Sequence, residues 1–347
     1  MIRILIAEDS GVVAMLLKAI FEQEPDLEVV GHAKDGREAV TLADELRPDL
    51  VTMDIRMPRM DGFEATREIM SNAPIPIVVI SSSVDDEELR ITFRAIEEGA
   101  LAVIEKPRGI GHPDFDAIRR DLVQTVRAMA EVKLVRRRRH PVQHPQHAAP
   151  AAATPPSNDC RIIGIGASTG GPQALRHLLA GLPANVPIPI VAVQHIGSGF
   201  IGGLVEWLQG YSEPTVRLAH HGEPLRAGTV YFAPEDRHLC VEQRNGEFVA
   251  VLCDSEPVHG SRPSVDPLFQ SLARCCGRGA VGILLSGMGE DGADGLLQMR
   301  QAGARTYCQD RESCVVFGMP GAAMARDAVQ EALGLDALCH RMALCGS

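Results

Sequence analysis

The chain has 347 residues, 45% hydrophobic and 23% charged, enough for two domains of ordinary size. A formal net charge of −11 and a pI near 5.6 argue against a nucleic-acid or anionic-membrane surface, and one Trp with three Tyr leaves little for stacking bases. The nine cysteines are scattered, odd in number and without a C-x-x-C, as expected of reduced thiols in a cytoplasmic protein. The N-terminus does not read as a signal peptide and no apolar run approaches ~18 residues, so direct membrane insertion is not expected.

Residues 2–7 form an apolar run that ends in Glu8-Asp9-Ser10, and a helical pattern follows through Phe21. Val29-Val30 begin a second strand, a helix lies near 36–46, and a third strand at 50–53 ends on Asp54. Residues 77–80 form a fourth strand before Ser81-Ser82-Ser83. A helix covers about 85–98, a fifth strand covers 101–104, and Lys106-Pro107 precedes a last helix near 115–135. Five short strands alternating with five helices predict a doubly wound parallel sheet. In such sheets sites form at the carboxyl ends of strands. Those ends bring together Glu8, Asp9, Asp54, Ser81 and Lys106. Three neighbouring carboxylates repel one another unless a divalent cation sits between them, and oxygen ligands suit Mg²⁺. Beside a metal, Asp54 could accept a phosphoryl group whose oxygens Lys106 and Ser81 would hold. Each of these residues alone reads as an ordinary solvated loop residue. Grouped at this spacing they do not.

Residues 1–130 resemble a response-regulator receiver domain. The resemblance rests on Ala7-Glu8-Asp9-Ser10, on Met53-Asp54-Ile55-Arg56-Met57-Pro58-Arg59-Met60-Asp61-Gly62, and on Lys106-Pro107. It implies that Asp54 is the phosphoacceptor, that Glu8 and Asp9 help to bind Mg²⁺, and that Lys106 contacts the phosphoryl group. Val103 stands where the family has an aromatic switch residue. In the serine triplet, register from Pro76 favours Ser81 as the switch hydroxyl, and counting back from Lys106 favours Ser82.

Residues 131–159 read as a linker that opens with four arginines at 136–139 and turns Pro/Ala-rich, an extended and semi-stiff spacer. The arginine run suits a solvated helix end or an acidic partner. The second domain, 160–347, starts with an apolar strand at 162–165 that breaks into Gly166-Ala167-Ser168-Thr169-Gly170-Gly171-Pro172 and a helical pattern. Three readings of this turn compete. It fits a G-x-S-x-G nucleophile elbow, it partly fits a phosphate-binding glycine loop, and it could be a βα turn used only for packing. The next apolar run, 188–193, ends in Gln194-His195, where a dinucleotide site would want an acid. A helix at 200–208 follows, then a turn and strand at 224–234 and a hairpin around Asn245-Gly246. Arg262-Pro263-Ser264-Val265-Asp266 opens a helix through Ala273. A buried strand at 281–285 leads into 286–292, and a further helix spans 293–302.

Ser168, His195 and Asp291 thus end three strands and supply the types needed for nucleophile, base and orienting carboxylate. A lone His or Asp at such a place is more often a cap or a turn residue. His177, His220, His221, His238 and His259 are rival bases, but His195 ends a strand beside that of Ser168. This domain resembles the catalytic domain of the CheB family of chemotaxis protein-glutamate methylesterases, on 164–171, 193–195, 262–266, 286–292 and 309–320. The resemblance implies a Ser168–His195–Asp291 triad, an oxyanion site near Thr169 and Met288, and an esterase site that needs no cofactor. It further implies methyl-accepting chemoreceptors as substrates, deamidation of receptor glutamines, and a receiver that gates the cleft. Ile196-Gly197-Ser198-Gly199-Phe200 departs from the family's Met- and Pro-containing segment after the histidine. A nucleotide-binding output module and a non-catalytic adaptor are the rival functions. Nucleotide titration set against ester hydrolysis separates the first rival from the enzyme.

Overall fold

The computed structural model describes residues 1–81, 93, 95–107, 109, 111–112, 115–132 and 160–345. Most of the helix expected at 85–98, the second and third serines of the triplet, and the linker from 133 to 159 with its arginine run lie outside these residues.

The N-terminal unit is a five-stranded parallel sheet of β1 (Ile2–Ala7), β2 (Leu27–Ala33), β3 (Leu50–Met53), β4 (Ile77–Ser81) and β5 (Ala102–Glu105), in the order β2-β1-β3-β4-β5. β3 and β4 are buried along their whole length, as expected of apolar strands covered on both faces. Three helices start on side-chain caps: Ser10 accepts from Val13 N–H, Asp35 from Glu38 N–H, and Asp61 from Phe63 and Glu64 N–H. The helix that follows β5 runs over Phe115–Ala130, and residues 133–135 of its expected span lie outside the described residues.

The C-terminal unit contains β6 (Ile162–Ala167), β7 (Ile190–Gln194), β8 (Thr215–Leu218), β9 (Thr229–Phe232), the hairpin of β10 (His238–Arg244) and β11 (Glu247–Cys253), then β12 (Ala280–Leu284), β13 (Arg305–Gln309) and β14 (Glu331–Leu333). Seven of these form a parallel sheet in the order β14-β13-β12-β6-β7-β9-β8. β6 therefore lies between β12 and β7, and the loops that leave the three strands converge. The Val265–Cys276 helix presses directly on β6: a Cβ at Gly166 would fall 2.3 Å from Val265 Cγ1, so only glycine allows this approach. That packing sets the start of the helix beside the loop after β12.

The two units touch. Phe93 stacks on Trp207 with centroids 5.6 Å apart, and Glu97 accepts hydrogen bonds from Trp207 Nε1 at 2.6 Å and from the Tyr211 hydroxyl at 2.5 Å. Gln173 Nε2 donates to Ala100 O at 2.9 Å, and Val315 and Val316 pack against the core of the first unit. Val103 packs against the cores of both units. Among the described residues no helix is long and apolar enough to cross a membrane.

Candidate active site and phosphorylation site

β6 ends at Ala167, so Ser168 is the first residue of the turn into the Gly171–Ala180 helix, whose first turn carries Pro172. Ser168 N–H donates to Ser286 O at 3.0 Å, and Gly171 N–H closes the turn onto Ser168 O at 2.7 Å. A Cβ on Gly287 would meet Ser168 Cβ at 2.8 Å, so the next loop also needs glycine to pass the serine. Thr169 N–H and Met288 N–H donate to no group among the described residues, which leaves two backbone donors free on the loops flanking Ser168.

β7 ends at Gln194 and delivers His195, whose Nε2 lies 2.8 Å from Asp291 Oδ2. The ring nitrogen is not aligned for a full hydrogen bond at this orientation. His195 Nδ1 carries no hydrogen bond among the described residues, and none joins it to Ser168. Catalytic hydrogen bonds are often long or misaligned before substrate binds.

Asp291 is 3% exposed and sits at the N-terminus of the Val265–Cys276 helix. It accepts from the Ser264 hydroxyl at 2.7 Å, Val265 N–H at 2.8 Å and Asp266 N–H at 3.1 Å. Burial pushes its carboxyl up, but the His195 contact and these donors outweigh burial and hold it below the usual carboxylate range. Asp291 is thus a fixed anion aimed at His195.

Of the rival histidines four are engaged elsewhere, while His259 lies beside the site, within 4.8 Å of a carboxylate oxygen of Asp291. His177 meets Asp336, His220 meets Glu223 and Arg217, and His221 accepts from Leu252 N–H. His238 is fully buried between Ser264 N–H and Glu256 O, and His259 meets Asp266. Sequence reasoning missed three polar residues. Buried Gln194 donates from Nε2 to both Ser168 O (2.8 Å) and His195 O (2.7 Å), tying the two loops together, and its side chain takes the space that a Cβ on Gly171 would need. Ser286 donates to Thr169 O at 2.7 Å, and Ser264 holds Asp291. The available signal was weak: Gln194 adjoins His195, but Ser264 and Ser286 adjoin no proposed site residue in sequence.

In the N-terminal unit, Lys106 Nζ stands 2.9 Å from both Glu8 Oε2 and Asp54 Oδ2. Glu8 and Asp54 are buried and Asp9 is exposed, yet one carboxylate oxygen from each lies within 4.8 Å of the others. Burial raises the carboxyls of both Glu8 and Asp54, with Asp54 adding to the effect on Glu8, and Lys106 only partly offsets it. Ser81 ends β4, is buried, and its carbonyl accepts from Lys106 N–H at 2.8 Å. Three carboxylates face one ammonium, and buried Glu8 Oε2 lacks an aligned hydrogen bond. This donor set fits a hard divalent cation.

Comparisons with known proteins agree with this architecture. The family described as CheB methylesterase matches residues 163–342, and the response regulator receiver domain matches residues 4–112. Protein-glutamate methylesterase/protein-glutamine glutaminase 2 of Methanospirillum hungatei is 46% identical over 93% of this chain and 92% of its own length. Protein-glutamate methylesterase/protein-glutamine glutaminase 4 of Myxococcus xanthus is 46% identical over 98% and 96%. The crystal structure of the Thermotoga maritima CheB methylesterase catalytic domain superposes with a TM-score of 0.52 at 35% identity, covering 53% of this chain and 97% of that one. A receiver sheet followed by a seven-stranded sheet that gathers Ser168, His195 and Asp291 therefore matches along nearly its whole length, and the chain belongs to the CheB methylesterase family.

Proposed function

We propose that the chain is a phosphorylation-regulated protein-glutamate methylesterase and protein-glutamine glutaminase acting on methyl-accepting chemoreceptors, with Ser168, His195 and Asp291 as its catalytic residues. The observation that carries the reading is the placement of these three residues on loops from adjacent strands, with Asp291 held at a helix N-terminus and 2.8 Å from His195. His195 takes the Ser168 hydroxyl proton as Oγ attacks the ester carbonyl of a methylated glutamate. The resulting oxyanion meets Thr169 and Met288 N–H. His195 then protonates the departing methoxide, methanol leaves, and a water molecule attacks the acyl-enzyme by the same proton path. With glutamine the leaving group is ammonia. The test is methanol release from methylated receptor membranes by the full chain, with and without a phosphodonor. No release in either condition would refute the reading. The absence of a membrane-spanning helix among the described residues and nine free thiols support a cytoplasmic site of action.

Asp54 is the proposed phosphoacceptor for a chemotaxis histidine kinase. Glu8, Asp9 and Asp54 would hold Mg²⁺, which when bound offsets their charge and that of the incoming phosphoryl group. Lys106 and Ser81 would contact the phosphoryl oxygens. Incubation with a small phosphodonor should label Asp54 in a Mg²⁺-dependent way. Borohydride trapping and mass spectrometry should find the label there and not in Asp54→Asn, and a label persisting in that variant would refute the site.

The receiver is placed to gate the cleft. Gly197, two residues after His195, approaches Glu105, the neighbour of Lys106: a Cβ there would lie 3.6 Å from Glu105 Cβ. Asp121, exposed on the Phe115–Ala130 helix, is near enough to His195 to interact with it electrostatically. A tenfold change in activity needs a difference of only about 1.4 kcal/mol in docking. With Val103 wedged between the cores, the signal would pass through Ser81, Lys106 and β5 packing rather than an aromatic flip. Trp207, the single tryptophan, reports this interface. Phosphodonor should red-shift its emission as water reaches the ring, and methanol release should rise in step. Activation with unchanged emission would show that this contact does not open.

A further inference from the structure

Next to the His195 loop lies a pocket whose wall includes Gln194, Ile196, Ser198, Glu235, Arg262 and Pro263. It adjoins the catalytic machinery on two sides. Gln194 holds the Ser168 and His195 carbonyls, and Arg262 is two residues before Ser264, which holds Asp291. Among the described residues that line the pocket, Arg262 is the one cation.

Its guanidinium is poorly used by the fold. One hydrogen bond leaves it, from Nη1 to Ser255 O at a long 3.3 Å, while Nε is buried with no partner. No carboxylate among the described residues lies within ion-pair distance of it. Glu235, on the same wall, is taken by Gly199 N–H at 2.5 Å and the Ser198 hydroxyl at 3.5 Å, and Asp236 at the rim faces solvent. An unpartnered buried N–H is costly in a native structure and calls for a partner. A guanidinium that presents two parallel N–H groups matches the two oxygens of a carboxylate. A lone carbonyl would use only one of these donors. A phosphate would bring more negative charge past Glu235 and Asp236.

We infer that Arg262 is a specificity-determining residue that binds the carboxylate of an acidic side chain flanking the reacting glutamate of the substrate polypeptide. This inference rests on the methylesterase reading and adds to it a preference among receptor sites. The ester carbonyl sits over Ser168 while the neighbouring acid enters the pocket beside His195, which fixes the register of the polypeptide across the cleft.

The test compares two methylated receptor fragments, one with a Glu and one with a Gln beside the reacting position, using the full chain activated by phosphodonor. Wild type should favour the acidic fragment by about tenfold in kcat/KM, mainly through KM. Arg262→Gln should bring that ratio close to one, and Arg262→Lys should restore part of it, since charge returns without the fork. A ratio unchanged in Arg262→Gln would overturn the inference. Should Arg262→Gln fail to fold, an unchanged ratio in Arg262→Lys would overturn it equally. Methanol release from both fragments by wild type with no preference between them would also overturn it while leaving the esterase reading standing. No release from either would instead overturn the esterase reading itself.

Discussion

Ser168→Ala is expected to lower methanol release from methylated receptor by about 10⁴–10⁶. The fold should survive, because the Ser168 side chain makes no hydrogen bond among the described residues while its backbone makes three: N–H to Ser286 O, and O to Gly171 N–H and to Gln194 Nε2. Alanine keeps all three. What it removes is the only atom placed to form the acyl-enzyme. His195→Ala should be nearly as damaging, and the double variant little worse than either, since proton removal has no purpose without the nucleophile. Residual activity above a tenth of wild type in Ser168→Ala would show that another group attacks the ester. An unchanged thermal transition alongside the lost activity would separate chemistry from folding.

The parts of this molecule that could be read in the sequence are those where local pattern and site chemistry coincide. β6 and its glycine turn, β7 ending at Gln194 and the strand before Ser286 are short apolar runs closed by polar residues. They were visible for that reason, and so were Ser168, His195 and Asp291. The receiver carboxylates were equally plain, because buried acids at strand ends need a compensating charge. β8, β13 and β14 escaped notice. β8 and β14 lie at the sheet edges, and β14 has three residues and little burial, so neither needed a continuous apolar run. β13 is interior, but Thr306 and Gln309 interrupt its apolar pattern. The closing Leu335–Ala343 helix also went unnoticed beyond the last recognisable motif. Gln194, Ser264 and Ser286 were hidden for a different reason. Their roles depend on which loops meet, and strand order supplies that only in three dimensions. The pairing of Phe93 with Trp207 across the units is likewise a tertiary fact that no local spacing announces.

Asp291→Asn should cost about 10³–10⁴ in turnover and should also change how stability depends on pH. The amide keeps one acceptor oxygen, enough for the Ser264 hydroxyl and Asp266 N–H, but it sets an NH2 against Val265 N–H and loses the charge that steadies a protonated His195 during attack. It also removes an anion from a helix N-terminus, an effect of about 0.3–2 kcal/mol. In the folded chain the Asp291 carboxyl titrates below its ordinary value: burial opposes ionisation, and the His195 contact and backbone donors overcome it. A carboxyl whose folded pKa is depressed contributes stability above its unfolded value, about 4, and loses that contribution as pH falls through the folded value. Wild type should therefore exceed Asp291→Asn in its urea midpoint at pH 7, and the gap should close as the solution is acidified below about 4. A gap that stays constant down to the acid transition would mean that Asp291 supports the helix through hydrogen bonding alone. Turnover above a tenth of wild type at pH 7 would mean that His195 does not depend on this carboxylate for its charge. Both readings come from one variant, and they test the same physical claim: a buried anion held by a helix terminus is what makes the histidine of this site a base.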